Sequence, residues 1–165
     1  INPDRDLFKL LETNEYFKGT PQSVNTVFQN DFEQDTAFCS TAWPSGGKAT
    51  CLNGENQFFG PITLLVTANC APWIRVEADF LAQSREWDVW KYAQWIVQFY
   101  QGEKAIKTNL IRIQRHLPVD QVSTHLFFDV RVPSEPYDRC TMSIWNAESP
   151  QTLLMDNLKV SCFED

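Results

Sequence analysis

Two segments of the chain alternate strictly between hydrophobic and polar residues. In residues 73–80 the apolar side chains occupy every second position, and Arg75, Glu77 and Asp79 lie between them. Residues 126–132 repeat this alternation. Successive side chains of a β-strand point to opposite faces of its sheet. The period of two therefore predicts strands that bury one face and expose the other.

Further segments have the length and composition of strands, and turn-forming Gly, Pro and Asn-Gly sequences separate them. These segments are residues 24–32, 48–52, 61–67, 93–100, 110–115, 139–146 and 153–163. Eight or nine half-buried strands at this spacing predict an all-β fold, an antiparallel sandwich of two sheets. Periodicity alone does not separate an immunoglobulin-like sandwich from a jelly roll.

The start of the chain has a different period. Leucines three and four residues apart share one face of residues 4–18, and Asp4 is placed to cap a helix there. A Gly-Thr-Pro sequence then ends the pattern. We predict a short N-terminal helix or linker over residues 1–23 and one sandwich domain over residues 24–165.

Composition and charge narrow the function classes. Of the 165 residues, 43% are hydrophobic and 13% aromatic, which is typical of a folded protein. The net charge of −7 argues against a nucleic-acid partner, because such a partner needs a basic face. No apolar run approaches the roughly 18 residues of a membrane span. Because the chain begins at Ile1 rather than Met, we expect it to be a trimmed or mature fragment.

The five cysteines leave the redox compartment open. No Cys-x-x-Cys pair is present, which argues against a zinc site. Cys39 and Cys51 are the nearest candidates for a disulfide. It is equally consistent with the sequence that the cysteines are unpaired and act as small buried hydrophobic side chains.

An Asp-Asn pair, Asp156-Asn157, interrupts the predicted last strand, although both residue types are poor strand formers. An acidic sequence, NDFE at residues 30–33, ends the predicted first strand. If the first and last strands are neighbours, carboxylates from both ends of the chain converge. Oxygen ligands of this kind bind hard cations such as calcium.

Three short motifs occur in order: NDFE at 30–33, SGGKAT at 45–50 and MDNLKV at 155–160. They resemble the N-x-F-E opening, the Gly turn and the closing Asp-containing strand of jelly-roll carbohydrate-binding modules, which have a galactose-binding-like fold. The resemblance extends over about residues 24–163 and implies a jelly-roll sandwich. It also implies a structural calcium held by the Glu33 and Asp156 side chains, with Lys48 as a backbone contributor. Alternatively, Asp156 and Asn157 cap a bulge or pair with a lysine.

Sugar-binding sites combine aromatic faces with planar polar groups, and both occur at predicted outward positions. We expect candidate ligand contacts on the exposed faces of the middle strands: Gln94, Gln98, Tyr100, Arg112, Gln114, Asp129, Arg131 and Trp145. The alternative is a solvated sheet with cross-strand ion pairs.

The loop at residues 85–92, which follows the first alternating segment, adds Trp87 and Trp90, which lie among charged residues. Exposed aromatics there would form a binding edge. Alternatively, they fold back and plug one end of the sandwich. We slightly favour the plug, because leaving aromatic side chains exposed to water costs free energy.

Catalysis has little support. Glu77 and Asp79 share a strand face, as in jelly-roll glycoside hydrolases, but the third carboxylate of that pattern is missing. We therefore expect a non-catalytic, glycan-binding domain of an extracellular or periplasmic protein. A protein-interaction or spacer domain is the alternative, and a glycoside hydrolase is third.

Overall fold

The structure is a computed structural model that describes residues 12–13, 15, 17–33, 41–43, 47–65, 72–84 and 89–165. Ten strands form two antiparallel sheets in this part of the chain. Their bounds are β1 Gln22–Asn30, β2 Thr41–Ala42, β3 Lys48–Leu52, β4 Phe58–Leu64, β5 Trp73–Ala82, β6 Gln94–Gln101, β7 Lys104–Arg112, β8 Thr124–Arg131, β9 Arg139–Trp145 and β10 Leu153–Glu164.

The last strand is central to the six-stranded sheet. β10 pairs with β5 along one edge, and β8 follows β5 at the side of the sheet. Along its other edge β10 pairs with two strands placed end to end. β3 pairs with the first residues of β10, and β1 pairs with its second half. The first and last strands are therefore neighbours, which is the condition under which carboxylates from both ends of the chain can converge.

The second sheet has the order β4-β9-β6-β7, and the hydrophobic core lies between the two sheets. The fully buried Trp95 of β6 makes edge-to-face contacts with Phe80 and Phe128 of the other sheet, at centroid distances of 4.9 and 5.2 Å. Its indole nitrogen lies 3.1 Å from the Met142 Sδ of β9. The predicted two-sheet jelly-roll sandwich is confirmed.

The Asp156-Asn157 pair lies at a β-bulge. The pairing of β10 with β5 shifts register between Asp156 and Lys159, and Asn157 has φ 51°. Asn tolerates this left-handed conformation better than most residues, and one bulge type requires it. The pair therefore marks the junction where β1 ends and β3 begins, and the bulge that we weighed as an alternative is present.

One predicted strand is wrong in its bounds. Residues 110–115 were expected to be extended, but β7 begins at Lys104 and ends at Arg112. Ile113–His116 forms a 3-10 helix, which has three residues per turn and so ends the alternation of side chains. β4 also begins earlier than the expected residue 61, at Phe58.

The N-terminal helix is not confirmed. Residues 1–11, 14 and 16 lie outside the described part, and none of the described residues from 12 to 18 is helical. Four of them, which we call the N-terminal strap, lie against the edge strands of both sheets: Glu12, Thr13, Glu15 and Phe17. The division of the chain at residue 24 stays a prediction.

The N-terminal strap joins the two sheets at their open side. Thr13 N–H donates to the Leu110 carbonyl of β7 at 2.9 Å, and Glu15 N–H donates to the Asp129 carbonyl of β8 at 3.3 Å. The Glu15 carboxylate pairs with Lys107 at 2.6 Å. Burial raises the pKa of Glu15, but its bonds from Lys107 and neighbouring donors outweigh burial and hold the pKa below its usual range. The strap thus covers two sheet edges that would otherwise be exposed.

The cysteines are partly described. Cys51 and Cys162 are disulfide-bonded, whereas Cys140 is a buried free thiol whose pKa burial raises to about 12. Cys39 lies outside the described residues, so its pairing with Cys51 stays a prediction. Within the part of the chain that the structure covers, no helix is long and apolar enough to cross a membrane.

The packing of the N-terminal strap is expected to contribute to the stability of the protein. The Phe17 ring contacts Trp73 and Phe163 edge to face, at centroid distances of 5.4 and 5.0 Å. We expect Phe17→Ala to lower the free energy of unfolding by about 1–3 kcal/mol in urea titrations, because it removes a partly buried ring. The adjacent, exposed Lys18 provides the control, since Lys18→Ala should change stability by less than about 0.5 kcal/mol. Equal effects of the two changes would contradict the packing role.

Candidate functional site

The outer face of the four-stranded sheet carries several of the predicted ligand residues in register. Across the strands, Phe58 of β4 is opposite Trp145 of β9, Trp145 is opposite Gln94 of β6, and Gln94 is opposite Arg112 of β7. These residues share one face because residues directly opposite in a sheet point to the same side. The inward neighbours on β6, such as Trp95, belong to the core.

Three further rows lie on this face. In the first, Ser143 of β9 is opposite Ile96 of β6, and Ile96 is opposite Leu110 of β7. Thr63, Thr141, Gln98 and Thr108 form a row across all four strands. Beyond it, Arg139 of β9 is opposite Tyr100 of β6. Predicted residues Gln98, Tyr100 and Trp145 therefore lie on one surface, together with hydroxyl and guanidinium groups.

A groove of about 400 Å³ lies along this surface. Nine residues from three strands line it: Phe58, Gly60, Pro61, Thr63, Gln98, Tyr100, Arg139, Thr141 and Ser143. None of the nine is acidic. Its aromatic, hydroxyl, amide and guanidinium groups match the mixture that recognises sugars.

The aromatic end of the face is formed by Phe58 and Trp145. Their ring planes are within 13° of parallel, and their centroids are 6.4 Å apart. Phe58 is 64% exposed, an unusual degree for a large apolar side chain on a strand. The exposed Phe58 ring, stacked on the half-buried Trp145, presents an apolar ring face on which the apolar face of a pyranose can stack.

The opposite end of the groove is held by a chain of polar contacts. The Tyr100 hydroxyl donates to Gln98 Oε1 at 2.7 Å, and Gln98 Nε2 donates to the Thr108 hydroxyl at 3.2 Å. The Arg139 guanidinium carbon lies 4.3 Å from the centre of the Tyr100 ring. These contacts fix the directions of the polar groups before any ligand arrives, which lowers the entropy lost on binding.

Arg112 and Trp90 lie together at the β7 side of the face. The Arg112 guanidinium carbon is 5.4 Å from the centre of the Trp90 ring, and Arg112 is buried. Burial lowers the pKa of Arg112, and the Glu12 carboxylate opposes that shift. Trp90 is 52% exposed, so our preference for a plug was wrong for this residue. Trp87 lies outside the described residues.

Gln114 does not belong to the exposed face. It lies in the 3-10 helix, is buried, and its Oε1 accepts the Ala93 N–H at 2.7 Å. We expected it to be outward because the alternation was extended past Arg112. The helical turn directs its side chain inward, where it satisfies a backbone donor, so its assignment as a ligand contact is wrong.

Asp129 and Arg131 lie on β8 of the six-stranded sheet and not on the groove face. Asp129 is buried and accepts hydrogen bonds from Arg75 Nε at 2.7 Å and from the Phe17 N–H at 3.2 Å. The exposed Arg131 side chain lies over Trp73 of its own sheet. These two predicted contacts are thus separated from Gln98 and Tyr100 by the thickness of the sandwich.

Sequence reasoning missed Phe58 and Arg139. Arg139 has the same parity as Thr141, Ser143 and Trp145, so the alternation of β9 could have identified it. Phe58 was missed because the strand was expected to begin at Pro61, and no local signal indicated pairing across Gly60.

The predicted calcium ligands lie around the junction of β1, β3 and β10. Glu33 Oε1 accepts the Lys48 N–H at 2.9 Å. A side chain at Gly47, whose φ is 82°, would place its Cβ 2.5 Å from that same oxygen, so the turn needs glycine to admit the carboxylate. Asp156 is buried on the neighbouring strand, where its Oδ1 accepts the Asn157 N–H at 2.8 Å.

The neighbouring carboxylates affect the pKa of Asp156. Burial raises the pKa of Asp156, the hydrogen bond from Asn157 lowers it, and repulsion from Glu33, Asp79 and Asp31 raises it further, so the net shift is upward. Within the described part of the chain, no three His, Cys, Asp or Glu side chains are grouped so that they could hold a metal by themselves. A cation here would therefore need backbone carbonyl oxygens as well.

Glu77 and Asp79 lie on the outer face of the six-stranded sheet. His125 lies between them, with Nδ1 2.8 Å from Asp79 Oδ1 and Nε2 3.3 Å from Glu77 Oε1. Asn157 Nδ2 donates to the other oxygen of Asp79 at 2.9 Å. Both carboxylates are thus engaged in a local network on the sheet opposite the groove.

Comparisons with known proteins agree with this architecture. No protein-family model and no curated protein matches the sequence. The structure is similar to the CBM22-1 xylan-binding domain of Xyn10C from Paenibacillus barcinonensis, with a TM-score of 0.55 and 11% identity over 88% of this chain and 99% of that chain. A family 16 carbohydrate-binding module is also similar, at a TM-score of 0.49 and 16% identity over 74% of this chain and 82% of that one.

A longer protein shares the fold in one of its parts. The CBM22-1-GH10 modules of xylanase Xyn10B from Clostridium thermocellum, solved with xylohexaose, give a TM-score of 0.52 at 11% identity. The match covers 83% of this chain and 28% of that one. The chain therefore has the jelly-roll β-sandwich fold of carbohydrate-binding modules.

The buried, structural role of Gln114 can be tested by measuring the free energy of unfolding of variants. We expect Gln114→Leu to lower the free energy of unfolding by about 1–3 kcal/mol, because it leaves the buried Ala93 N–H without its acceptor. Gln94→Leu, on the partly exposed face of β6, is the matched control and should change stability by less than about 0.5 kcal/mol. Chemical denaturation of both variants measures the difference. A Gln114 variant as stable as the wild type would show that its hydrogen bond is dispensable.

Proposed function

We propose that this chain is a non-catalytic carbohydrate-binding domain that holds a polysaccharide in the groove of the four-stranded sheet. The observation that carries the proposal is the combination on one face of the exposed Phe58 ring, stacked on the half-buried Trp145, with the fixed polar groups of Gln98 and Tyr100. The rings stack on sugar rings, and the amide and hydroxyls bond to sugar hydroxyls. An open groove suits a long chain because the polymer can enter and leave at both ends.

Two further observations support this proposal. The solved structures with this fold include a domain described as xylan-binding and another solved with xylohexaose. In the second, the similar module is one part of a longer enzyme. Our domain would likewise tether a larger polypeptide to its glycan, outside the cell or in the periplasm. The disulfide-bonded Cys51 and Cys162 favour such an oxidising compartment.

The glycosidase alternative has less support from the geometry. Glu77 and Asp79 are neighbours on one strand, and both are bound to His125. A glycosidase needs one carboxyl group free to protonate the leaving oxygen and the other free to act on the opposite side of the bond. None of the described residues that line the groove carries a carboxylate.

Binding of neutral polysaccharides to the groove tests the proposal. In affinity gel electrophoresis against a panel of soluble xylans, mannans and glucans, we expect at least one polymer to retard the protein. Phe58→Ala and Trp145→Ala should each weaken that retardation about tenfold, because a stacking platform is lost.

The matched control for these variants is Phe127→Ala. Phe127 is also an exposed aromatic, at 45%, but it lies on the other sheet, so its removal should leave the retardation unchanged. If no polysaccharide retards the protein, a protein-interaction or spacer domain is favoured. If only the Phe127 variant loses binding, the site lies on the six-stranded sheet and our location of it is wrong.

We also propose that a structural calcium is held where β1, β3 and β10 meet, by Glu33 and Asp156 with backbone oxygen from Lys48. The support is chemical: a buried carboxylate beside other carboxylates has a raised pKa, and a cation relieves that repulsion. Calcium accepts carboxylate and backbone carbonyl oxygens together. When bound, it would neutralise this charge and join strands that are far apart in sequence.

The calcium proposal predicts opposite effects of one substitution. In chelator, Asp156→Asn should raise the melting temperature at neutral pH. A carboxylate whose pKa is higher in the folded than in the unfolded state lowers the stability of the protein as pH rises from the unfolded pKa through the folded pKa. The amide of the variant carries no charge, so the variant avoids this loss. The amide oxygen can still accept the Asn157 N–H. In calcium, only the wild type should gain melting temperature.

Calorimetry of both proteins with chelator and with calcium makes this measurement. A wild type that melts at the same temperature in both conditions would contradict the calcium site and leave the groove proposal intact. Ser161→Ala on the same strand is a control that should leave the calcium response unchanged.

A further inference from the structure

The charge of the groove differs from that of the whole protein. The chain has 21 acidic and 14 basic residues, yet among the described residues that line the groove Arg139 is the one that carries a charge. Asp138, its neighbour in sequence, directs its carboxylate to the Gly102 N–H at 2.6 Å. The groove is therefore a locally cationic surface on an anionic protein, and such a surface attracts anionic ligands.

Arg139 differs from Arg75 and Arg115, whose guanidinium groups pair with carboxylates. Arg75 pairs with Asp129 at 2.7 Å, and Arg115 pairs with Glu12 at 3.2 Å. Among the described residues, no carboxylate lies within 4 Å of Arg139, whose contact is the face of Tyr100. That ring is itself held through its hydroxyl by Gln98. The guanidinium is thus oriented by an aromatic face while its donors stay available to a ligand.

We propose that the groove selects an acidic polysaccharide, one that carries uronic acid carboxylates, and that Arg139 binds the carboxylate. This inference rests on the proposed function and narrows its ligand class. A planar guanidinium matches a carboxylate through two parallel hydrogen bonds, which a neutral sugar hydroxyl does not reproduce.

The length of the site points to a polymer. Arg139 and Trp145 begin and end β9, so they are roughly 20 Å apart along the strand. One sugar does not reach both ends. A chain of several sugars can stack on Phe58 and Trp145 at one end and place a carboxylate at Arg139 at the other.

Reducing the carboxyl groups of a polymer shows how much those groups contribute to its binding. We would measure binding by calorimetry at low ionic strength with polygalacturonate, glucuronoxylan and alginate, and with each of these after its carboxyl groups have been reduced to primary alcohols. We expect at least one acidic polymer to bind about threefold to tenfold more tightly than its reduced form. Salt near 1 M should remove this difference.

Variants then assign the difference to Arg139. Arg139→Gln should bind the acidic and reduced polymers equally, and Arg139→Lys should keep part of the preference. Arg131→Gln is the matched control, because Arg131 also stacks on an aromatic ring but lies on the other sheet, so it should keep the full preference.

The outcomes separate this inference from the proposed function. If the reduced and neutral polymers bind and the acidic forms bind no better, the selectivity for uronic acids is overturned while carbohydrate binding stands. If the acidic preference survives in Arg139→Gln, the assignment to Arg139 is overturned. If no polymer in either panel binds, carbohydrate binding itself is refuted, and the inference with it.

Discussion

β10 hydrogen-bonds along both of its edges, and the rest of the sandwich depends on this pairing. One edge pairs with β5, and the other pairs with β3 and then with β1. One strand thus holds together segments from the beginning, middle and end of the chain. The change from β3 to β1 occurs beside Asp156 and Asn157, where β10 also has a bulge in its pairing with β5. The conformational freedom of Asn and the hydrogen bond within the pair allow that bulge.

The six-stranded sheet built on β10 determines where function is possible. Its inner face packs on Trp95 of β6, so the alternate residues of β6, Gln98 and Tyr100 among them, must face outward. Its own outer face is occupied by ion pairs and by the N-terminal strap at one edge. Within the part of the chain that the structure describes, the outer face of β4, β9, β6 and β7 therefore combines an exposed aromatic ring with oriented polar groups, and the groove on it is lined by no carboxylate. We infer that glycan binding belongs there.

Local periodicity predicted the strands and the side of each strand, because alternation depends only on neighbours in sequence. It therefore placed Gln98, Tyr100 and Trp145 outward correctly. It could not predict which sheet a strand joins, so Asp129 and Arg131 were grouped with residues on the opposite side of the sandwich. It failed at Gln114 because a 3-10 turn ended the alternation without a sequence signal. Phe58 becomes a site residue only through pairing across strands, which depends on contacts distant in sequence, whereas the alternation of β9 already places Arg139 on the outward face.

A titration of isotope-labelled protein with an oligosaccharide from the best-binding polymer tests the central claim most directly. Amide chemical shifts report which backbone groups feel the ligand. Our account predicts that the shifts concentrate in β4, β6 and β9, at Gln98, Thr141 and Ser143, with the indole signal of Trp145 moving as well. Shifts concentrated in β5 and β8, around Glu77 and Phe127, would contradict it, because they would place the ligand on the other sheet.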